Sequence, residues 1–137
     1  MLQLVSILEV VHNSRYIHND LKPDNIMLSF QGDNVKVNLI DFGYAKRYFH
    51  SSTGPIRADT KVESFQGNFL FGSLNQLKFK PTSRVDDINS LLYIMLYLFN
   101  DGDLPGLKKF LGDDGQDVED SPKIANQLFH LMTKYKQ

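Results

Sequence analysis

The sequence contains no cysteine, so it can form neither disulfide bonds nor thiolate metal sites. Its charges nearly cancel, with 15 basic against 16 acidic residues, which argues against a charge-driven nucleic-acid or membrane partner. The first residues lack the basic segment and apolar run of a secretory signal. We therefore expect a protein of the cytoplasm or nucleus that binds no nucleic acid and no membrane.

Long hydrophobic runs are also missing. The longest, Leu91 to Phe99, is too short to cross a bilayer and predicts a buried helix. The chain does have enough hydrophobic residues, 42% of 137, to form one compact core. No internal repeat or low-complexity tract divides it, so the composition predicts a single domain.

Hydrophobic periodicity predicts three helices. Apolar residues recur at helical spacing over 2–11, the apolar run predicts a helix over 86–99, and 124–135 has the spacing of an amphipathic terminal helix. An acidic, flexible stretch at 112–122 precedes the last of these. The first helix has no earlier element to pack against, so we expect a preceding segment or another chain to contact it.

The remaining segments predict a hairpin and a long loop. Two β-prone runs, 26–30 and 35–40, flank a polar, glycine-containing connection at 31–34, which is typical of a β-hairpin. Residues 43–82 are rich in Gly, Ser and Thr and have no sustained period. Irregular segments of this length are usually functional or disordered.

The residues with chemical potential lie on both sides of the hairpin, in H-N-D-L-K-P-D-N from His18 and in D-F-G from Asp41. Phosphoryl transfer needs a carboxylate that orients the attacking hydroxyl, a cation on the transferred group, and oxygen ligands for magnesium. Asp20, Lys22, Asn25 and Asp41 supply these groups. Because one strand follows Asn25 and the other ends at Asp41, the hairpin would bring both oxygen ligands to one end.

Each piece also has an ordinary structural explanation. D-F-G alone can be a turn after a strand, His18 a core histidine, and Lys22 a solvated surface charge. Together and in this order, however, they match both the residues and the context of the kinase signature. Pro23 should hold Lys22 extended, and Gly43 should allow the chain to turn.

These residues resemble the protein kinases, and D-L-K-P is similar to the serine/threonine branch. The sequence D-F-G-Y-A-K-R-Y from Asp41 is similar to D-F-G-x-A-K-K-Y of casein kinase 1. G-S-L-N from Gly72 stands where that family has S-I-N, and S-R-V-D-D-I-N-S-L from Ser83 is similar to its S-R-R-D-D-L-E-S-L. The resemblance covers 1–106 well, whereas 107–137 is a divergent, truncated helical tail.

The resemblance implies an α+β, mainly α fold. It would be the C-terminal lobe of a protein kinase, with a small β-hairpin that carries the catalytic and metal-binding loops, over residues 1–137 and without the N-terminal lobe. Such a partial domain would phosphorylate serine and threonine in protein substrates, with ATP and Mg²⁺ as cofactors. Because the lobe that grips ATP is missing, we expect the chain to be inactive alone and to need that lobe or a full-length kinase partner.

Site residues follow by position from the same resemblance. Asp20 would be the catalytic carboxylate and Lys22 the phosphoryl contact. Asn25 and Asp41 would be the magnesium ligands, and Met27 would complete the cofactor site beneath the adenine.

Four further residues would be structural. His18 and Phe42 would belong to the apolar spine that joins the two lobes of a kinase. Gly43 would allow the turn after the D-F-G aspartate, and Asp87 would hold the catalytic loop from the central helix.

Several departures from the family keep a second hypothesis open. Asn19 replaces the arginine of H-R-D, and Asn68 replaces a threonine that usually supports the catalytic loop. Leu70 stands where casein kinase 1 has an arginine that reads phosphorylated substrates. The alternative is a non-catalytic pseudokinase module that binds or regulates a partner. A truncated product without activity is not separable from it by sequence, so whether the chain is an enzyme stays open.

Overall fold

The structure is a computed structural model in which helices and small antiparallel sheets follow one another along the chain. Helix α1 is Leu2–Asn13, α2 is Leu74–Leu77 and α3 is Arg84–Phe99, and one 3-10 turn covers Pro23–Asn25. The structure describes residues 2–50, 54–55, 62–104, 130, 132–134 and 136.

The described strands pair two by two, always antiparallel, and the longest pair is the predicted hairpin. The other two pairs are only two residues long. These two pairs include residues 46–47, 49–50 and 54–55 of the segment 43–82, which was predicted to be irregular. Part of that segment therefore forms short strands. The pairs are β1 (Tyr16–Ile17) with β4 (Lys46–Arg47), β2 (Ile26–Gln31) with β3 (Asn34–Leu39), and β5 (Phe49–His50) with β6 (Gly54–Pro55).

The β2–β3 hairpin is confirmed, with a tighter turn than predicted. Its register runs from Ile26 opposite Leu39 to Gln31 opposite Asn34, so only two residues form the turn. The first of them, Gly32, has φ +58°, which glycine adopts without steric cost. The tight turn fixes the register, and with it the ends of both strands nearest the candidate site.

Helix α1 begins where predicted and continues two residues further, to Asn13. Its buried side chains are Leu4, Leu8 and His12, spaced four residues apart on one face. The sequence identified the two leucines as core residues. It did not predict that His12 would be buried, and this residue bonds to Asp87 of α3.

The main core joins α1, α3 and the hairpin. Leu4 and Leu8 of α1 pack in one cluster with Leu91 and Ile94 of α3. The hairpin side chains packed against this cluster are Ile26, Val37 and Leu39.

The prediction of a fully buried apolar helix is wrong for one face of α3. Leu91 and Ile94 are buried, but Leu92, Leu96 and Phe99 are 50%, 45% and 80% exposed. A helix that is apolar all round needs cover on every side. Among the described residues, that cover comes from the face toward α1 and from the cluster of Leu77, Leu104 and Met132, against which Tyr93 and Tyr97 pack. None of the described helices is long and apolar enough to span a membrane.

Most of the predicted tail lies outside the described residues, including the acidic stretch 112–122. Of the predicted terminal helix 124–135, residues 130 and 132–134 are described, and they are helical. Met132 is fully buried in a second cluster with Leu77 and Leu104.

Lys136 bonds to the segment that precedes α2. Its Nζ donates to the carbonyl oxygens of Phe69, Leu70 and Gly72, the Leu70 bond being 2.9 Å, and lies 4.2 Å from the Tyr93 ring centroid. These contacts favour the ammonium form, but burial away from water outweighs them and lowers the pKa of Lys136 to about 7. The tail therefore carries a titratable link to this segment.

We expect the free energy of unfolding to rise with pH between about 7 and 10.5. The ordinary lysine pKa is 10.5, so across this window the unfolded chain binds more protons than the folded one. Lys136→Met should reduce this slope in urea unfolding at a series of pH values, and the pKa of Lys46, also lowered by burial, contributes a slope that remains. Lys134→Met, at an exposed position nearby, is the control and should keep the slope. An unchanged slope in Lys136→Met would contradict the prediction.

Candidate active site

The loop after β1 is held from behind by a buried carboxylate. Asp87 of α3 is 2% exposed and accepts the backbone N–H of His18 at 2.8 Å and of Asn19 at 2.9 Å. The ring Nε2 of His12 lies 2.8 Å from the same side chain. Helices α1 and α3 therefore fix the start of the loop together.

Asp20, Lys22 and Asn25 come together in this loop. Asn25 Nδ2 donates to the Asp20 backbone oxygen at 2.8 Å and to its Oδ2 at 3.2 Å. Lys22 Nζ lies 3.8 Å from that Oδ2. Lys22 has the extended backbone predicted from Pro23, with φ −154° and ψ 161°. The loop thus gathers a carboxylate, a cation and an amide.

One carboxylate oxygen of Asp20 differs from the other polar atoms of this cluster in its hydrogen bonding. Asp20 is 5% exposed, and its Oδ1 is buried without a hydrogen-bond partner in the described part of the chain. A buried carboxylate oxygen without a donor is costly. Its chemistry fits a ligand hydroxyl that donates a proton to it.

Asp41 is placed beside the same loop by hydrogen bonds of the preceding residue, Ile40. Ile40 N–H donates to the Asn25 carbonyl at 2.9 Å, and the Ile40 carbonyl lies 3.1 Å from His18 Nε2. The His18 and Phe42 rings meet edge to face at 4.8 Å. The hairpin therefore ends against the loop, and Asp41 is exposed beside it.

The chain turns at Gly43: residues 43–44 form a turn closed by the Ala45 N–H, which donates to the Phe42 carbonyl at 3.0 Å. The left-handed backbone lies two residues earlier, at Asp41 with φ +58°, and not at Gly43. Aspartate tolerates this conformation better than most residues. A side chain at Gly43 would meet Asp41 Oδ1 at 3.0 Å, and the Gly43 N–H donates to that oxygen at 3.0 Å. Gly43 therefore matters because it leaves room for the carboxylate.

The donor set fits a magnesium ion that keeps other ligands. Asn25 uses its Nδ2 in the loop, which leaves Oδ1 available, and Asp41 offers carboxylate oxygens. The described residues hold no cluster of three His, Asp or Glu side chains that would form a complete metal cage. Magnesium is typically held by one or two carboxylates together with water and substrate phosphates. Met27, the expected adenine contact, is 54% exposed.

Comparison with known families gives a match over most of the chain. The model of the protein kinase domain matches residues 1–127. The chain belongs to the protein kinase family. Protein kinases generally use ATP and Mg²⁺ and act on protein substrates. The loop, the hairpin and Asp41 all lie within the residues that match the kinase domain.

A hydrogen-bond network missed by sequence reasoning connects the start of α2 to the start of α3. Asp86 Oδ1 accepts from Ser73 Oγ at 2.6 Å and from Asn75 at 2.9 Å, and its Oδ2 accepts the Ser83 N–H at 2.7 Å. Ser73 and Ser83 are the N-caps of α2 and α3. The spacings S-x-x-Q and S-x-x-D resemble capping boxes and could have revealed both helix starts.

Asn68 does not support the kinase loop. Its Oδ1 accepts the N–H groups of Leu70 and Phe71 at 2.8 and 3.1 Å, within its own segment. Two other side chains bond to Asn19 of the loop: Gln76 Nε2 donates to its carbonyl at 2.8 Å, and Thr82 Oγ1 donates to its Oδ1 at 2.7 Å. The S-x-x-Q motif includes Gln76, but it indicates a helix start and not the bond to Asn19.

Proposed function

We propose that this chain is the C-terminal lobe of a serine/threonine kinase similar to casein kinase 1. In this proposal it supplies the groups that phosphorylate serine and threonine in proteins from ATP. The observation that carries the proposal is the buried Asp20 carboxylate, with one oxygen unpartnered, beside Lys22 and Asn25 in one fixed loop.

Asp20 would accept a hydrogen bond from the substrate hydroxyl and orient it for attack. Its Oδ2 is occupied by Asn25, which leaves Oδ1 for the substrate. Groups in this role typically contribute about 10²–10⁴-fold to rate. Lys22, next to the carboxylate, would contact the transferred phosphoryl group.

Asn25 and Asp41 would hold magnesium, and Met27 would lie against the adenine. Bound magnesium would neutralise charge on the phosphate oxygens. His18 and Phe42, in ring contact, would continue the apolar spine toward an N-terminal lobe. Residues 1–106 would be the part of the lobe that matches the family well, and 107–137 its divergent, truncated helical tail.

Phosphoryl transfer with radiolabelled Mg·ATP and an acidic serine-containing protein tests the proposal. The 137 residues contain no G-x-G-x-x-G sequence to cover the phosphates. We therefore expect the chain alone to be far slower than typical kinases, because positioning provides most of the catalysis. Adding the N-terminal lobe of a casein kinase 1-type enzyme should raise the rate. Equal rates with and without that lobe would count against the division into lobes.

A second candidate is a pseudokinase module that binds a partner without turnover. It is favoured by exposed apolar side chains: Met27 and Leu28 are each 54% exposed, and Phe42 is 47% exposed. Phe42 also borders a cavity of about 440 Å³ with Val10 and Tyr16. Binding of the added lobe without phosphorylation would favour this module over the enzyme.

A further inference from the structure

The side-chain amide of Gln76 uses both N–H groups and its oxygen in hydrogen bonds to three parts of the site. Its side chain belongs to a residue only 6% exposed, and both Nε2 hydrogens are used, toward Asn19 O at 2.8 Å and Gln66 O at 2.9 Å. Its Oε1 accepts the Ser73 N–H at 2.8 Å. One neutral amide therefore joins the catalytic loop, the segment 62–72 and the start of α2.

Gly67 shows independently that this junction is tight. A Cβ at this position would lie 2.6 Å from Gln76 Nε2 and 2.7 Å from the Asn19 carbonyl oxygen. Its φ of +111° also disfavours any other residue. The segment can approach the loop this closely only because residue 67 has no side chain.

The contact acts on the peptide that leads into Asp20. Asn19 has φ +69°, a left-handed conformation that asparagine tolerates better than most residues with a side chain. Asp87 accepts the N–H of the peptide group between His18 and Asn19. Gln76 donates to the carbonyl of the next peptide group, between Asn19 and Asp20. With both flanking peptides fixed, the backbone direction at Asp20 is fixed as well.

We infer that Gln76 is a positioning residue that couples docking of segment 62–72 to the orientation of Asp20. The inference rests on the proposed function for its catalytic consequence. The Gln76 amide is neutral and donates to one backbone carbonyl of the loop and to one of segment 62–72. This bridge between the segment and the loop therefore involves no ion pair.

Single-residue hydrogen exchange by NMR on the full chain tests the coupling. In Gln76→Met, exchange at the amides of Asn19 and Asp20 should accelerate at least about tenfold, while Leu91 and Ile94 in the core should change far less. Gln76→Glu should have a larger effect, because a carboxylate oxygen would then face two carbonyl oxygens.

A second glutamine provides a matched control. The exposed Gln3 donates to Val35 O and accepts from Val37 N, each at 2.9 Å, away from the loop. Gln3→Met removes the same kind of bonds and should leave exchange at Asn19 and Asp20 unchanged. If Gln76→Met accelerates all amides equally, or leaves Asn19 unaffected, the coupling is wrong.

Two further measurements separate this inference from the proposed function. In the unsubstituted chain, the Gln76 side-chain NH₂ protons should exchange slowly, and exchange at the rate of a free amide would overturn the coupling without any variant. With the N-terminal lobe supplied, Gln76→Met should lower kcat about tenfold and leave the KM for ATP within twofold. Absence of all phosphorylation would refute the proposed function, whereas the exchange data decide the role of Gln76 by themselves.

Discussion

Asp20→Asn should lower kcat for protein phosphorylation by about 10²–10⁴-fold when an N-terminal lobe is supplied. The substitution preserves the shape of the side chain and an oxygen that can accept from Asn25. It removes the carboxylate that would orient the hydroxyl. The affinity for Mg·ATP should stay nearly constant, because Asn25 and Asp41 are unchanged. Steady-state kinetics and calorimetric titration with nucleotide would measure the two effects separately.

Asp24→Asn is the matched control for this experiment. Asp24 lies in the same loop and undergoes the same change of charge, but it is exposed. Its kcat should remain within a few-fold of the unsubstituted chain. Equal losses in both variants, or activity that persists in Asp20→Asn, would refute the assignment of Asp20.

Asp87→Asn should lower the free energy of unfolding by about 3–5 kcal/mol, because it removes a buried charge that three donors share. An asparagine has one acceptor oxygen, so its NH₂ group would face His12 or a backbone N–H of the loop. A loss of this size is a large part of the roughly 5–15 kcal/mol typical of a folded domain. Urea unfolding followed by circular dichroism would measure it.

Asp33→Asn, in the exposed hairpin turn, is the control and should change stability by less than about 0.5 kcal/mol. A loss below about 1 kcal/mol in Asp87→Asn would show that Asp87 does not hold the loop. Such a result would also weaken the inference about Gln76, because both residues act on the peptides around Asn19.

Local patterns predicted the elements whose cause is local. Helix α1 follows from the spacing of Leu4 and Leu8, and the β2–β3 hairpin follows from β-prone runs around Gly32. The extended backbone of Lys22 follows from Pro23, because the proline ring restricts the preceding residue. Each of these features depends on residues within a few positions of one another.

The errors arose where a distant contact decides the outcome. The exposure of Leu92 and Phe99 depends on which elements cover α3, and that is not encoded in the helix. The left-handed backbone of Asp41, with φ +58°, was not predicted, and it directly follows Ile40, which bonds to the loop.

Residue types at short spacing were enough to indicate a protein kinase, the order of its sequence motifs and the hairpin between them. How the loop is held depends instead on contacts between distant parts of the chain. His12 precedes Asn19 by 7 residues, whereas Gln76 and Asp87 follow it by 57 and 68 residues. No periodicity in the sequence connects these positions. Their bonds form only after the core of α1, α3 and the hairpin has brought these backbones together, because hydrogen bonds act over about 3 Å.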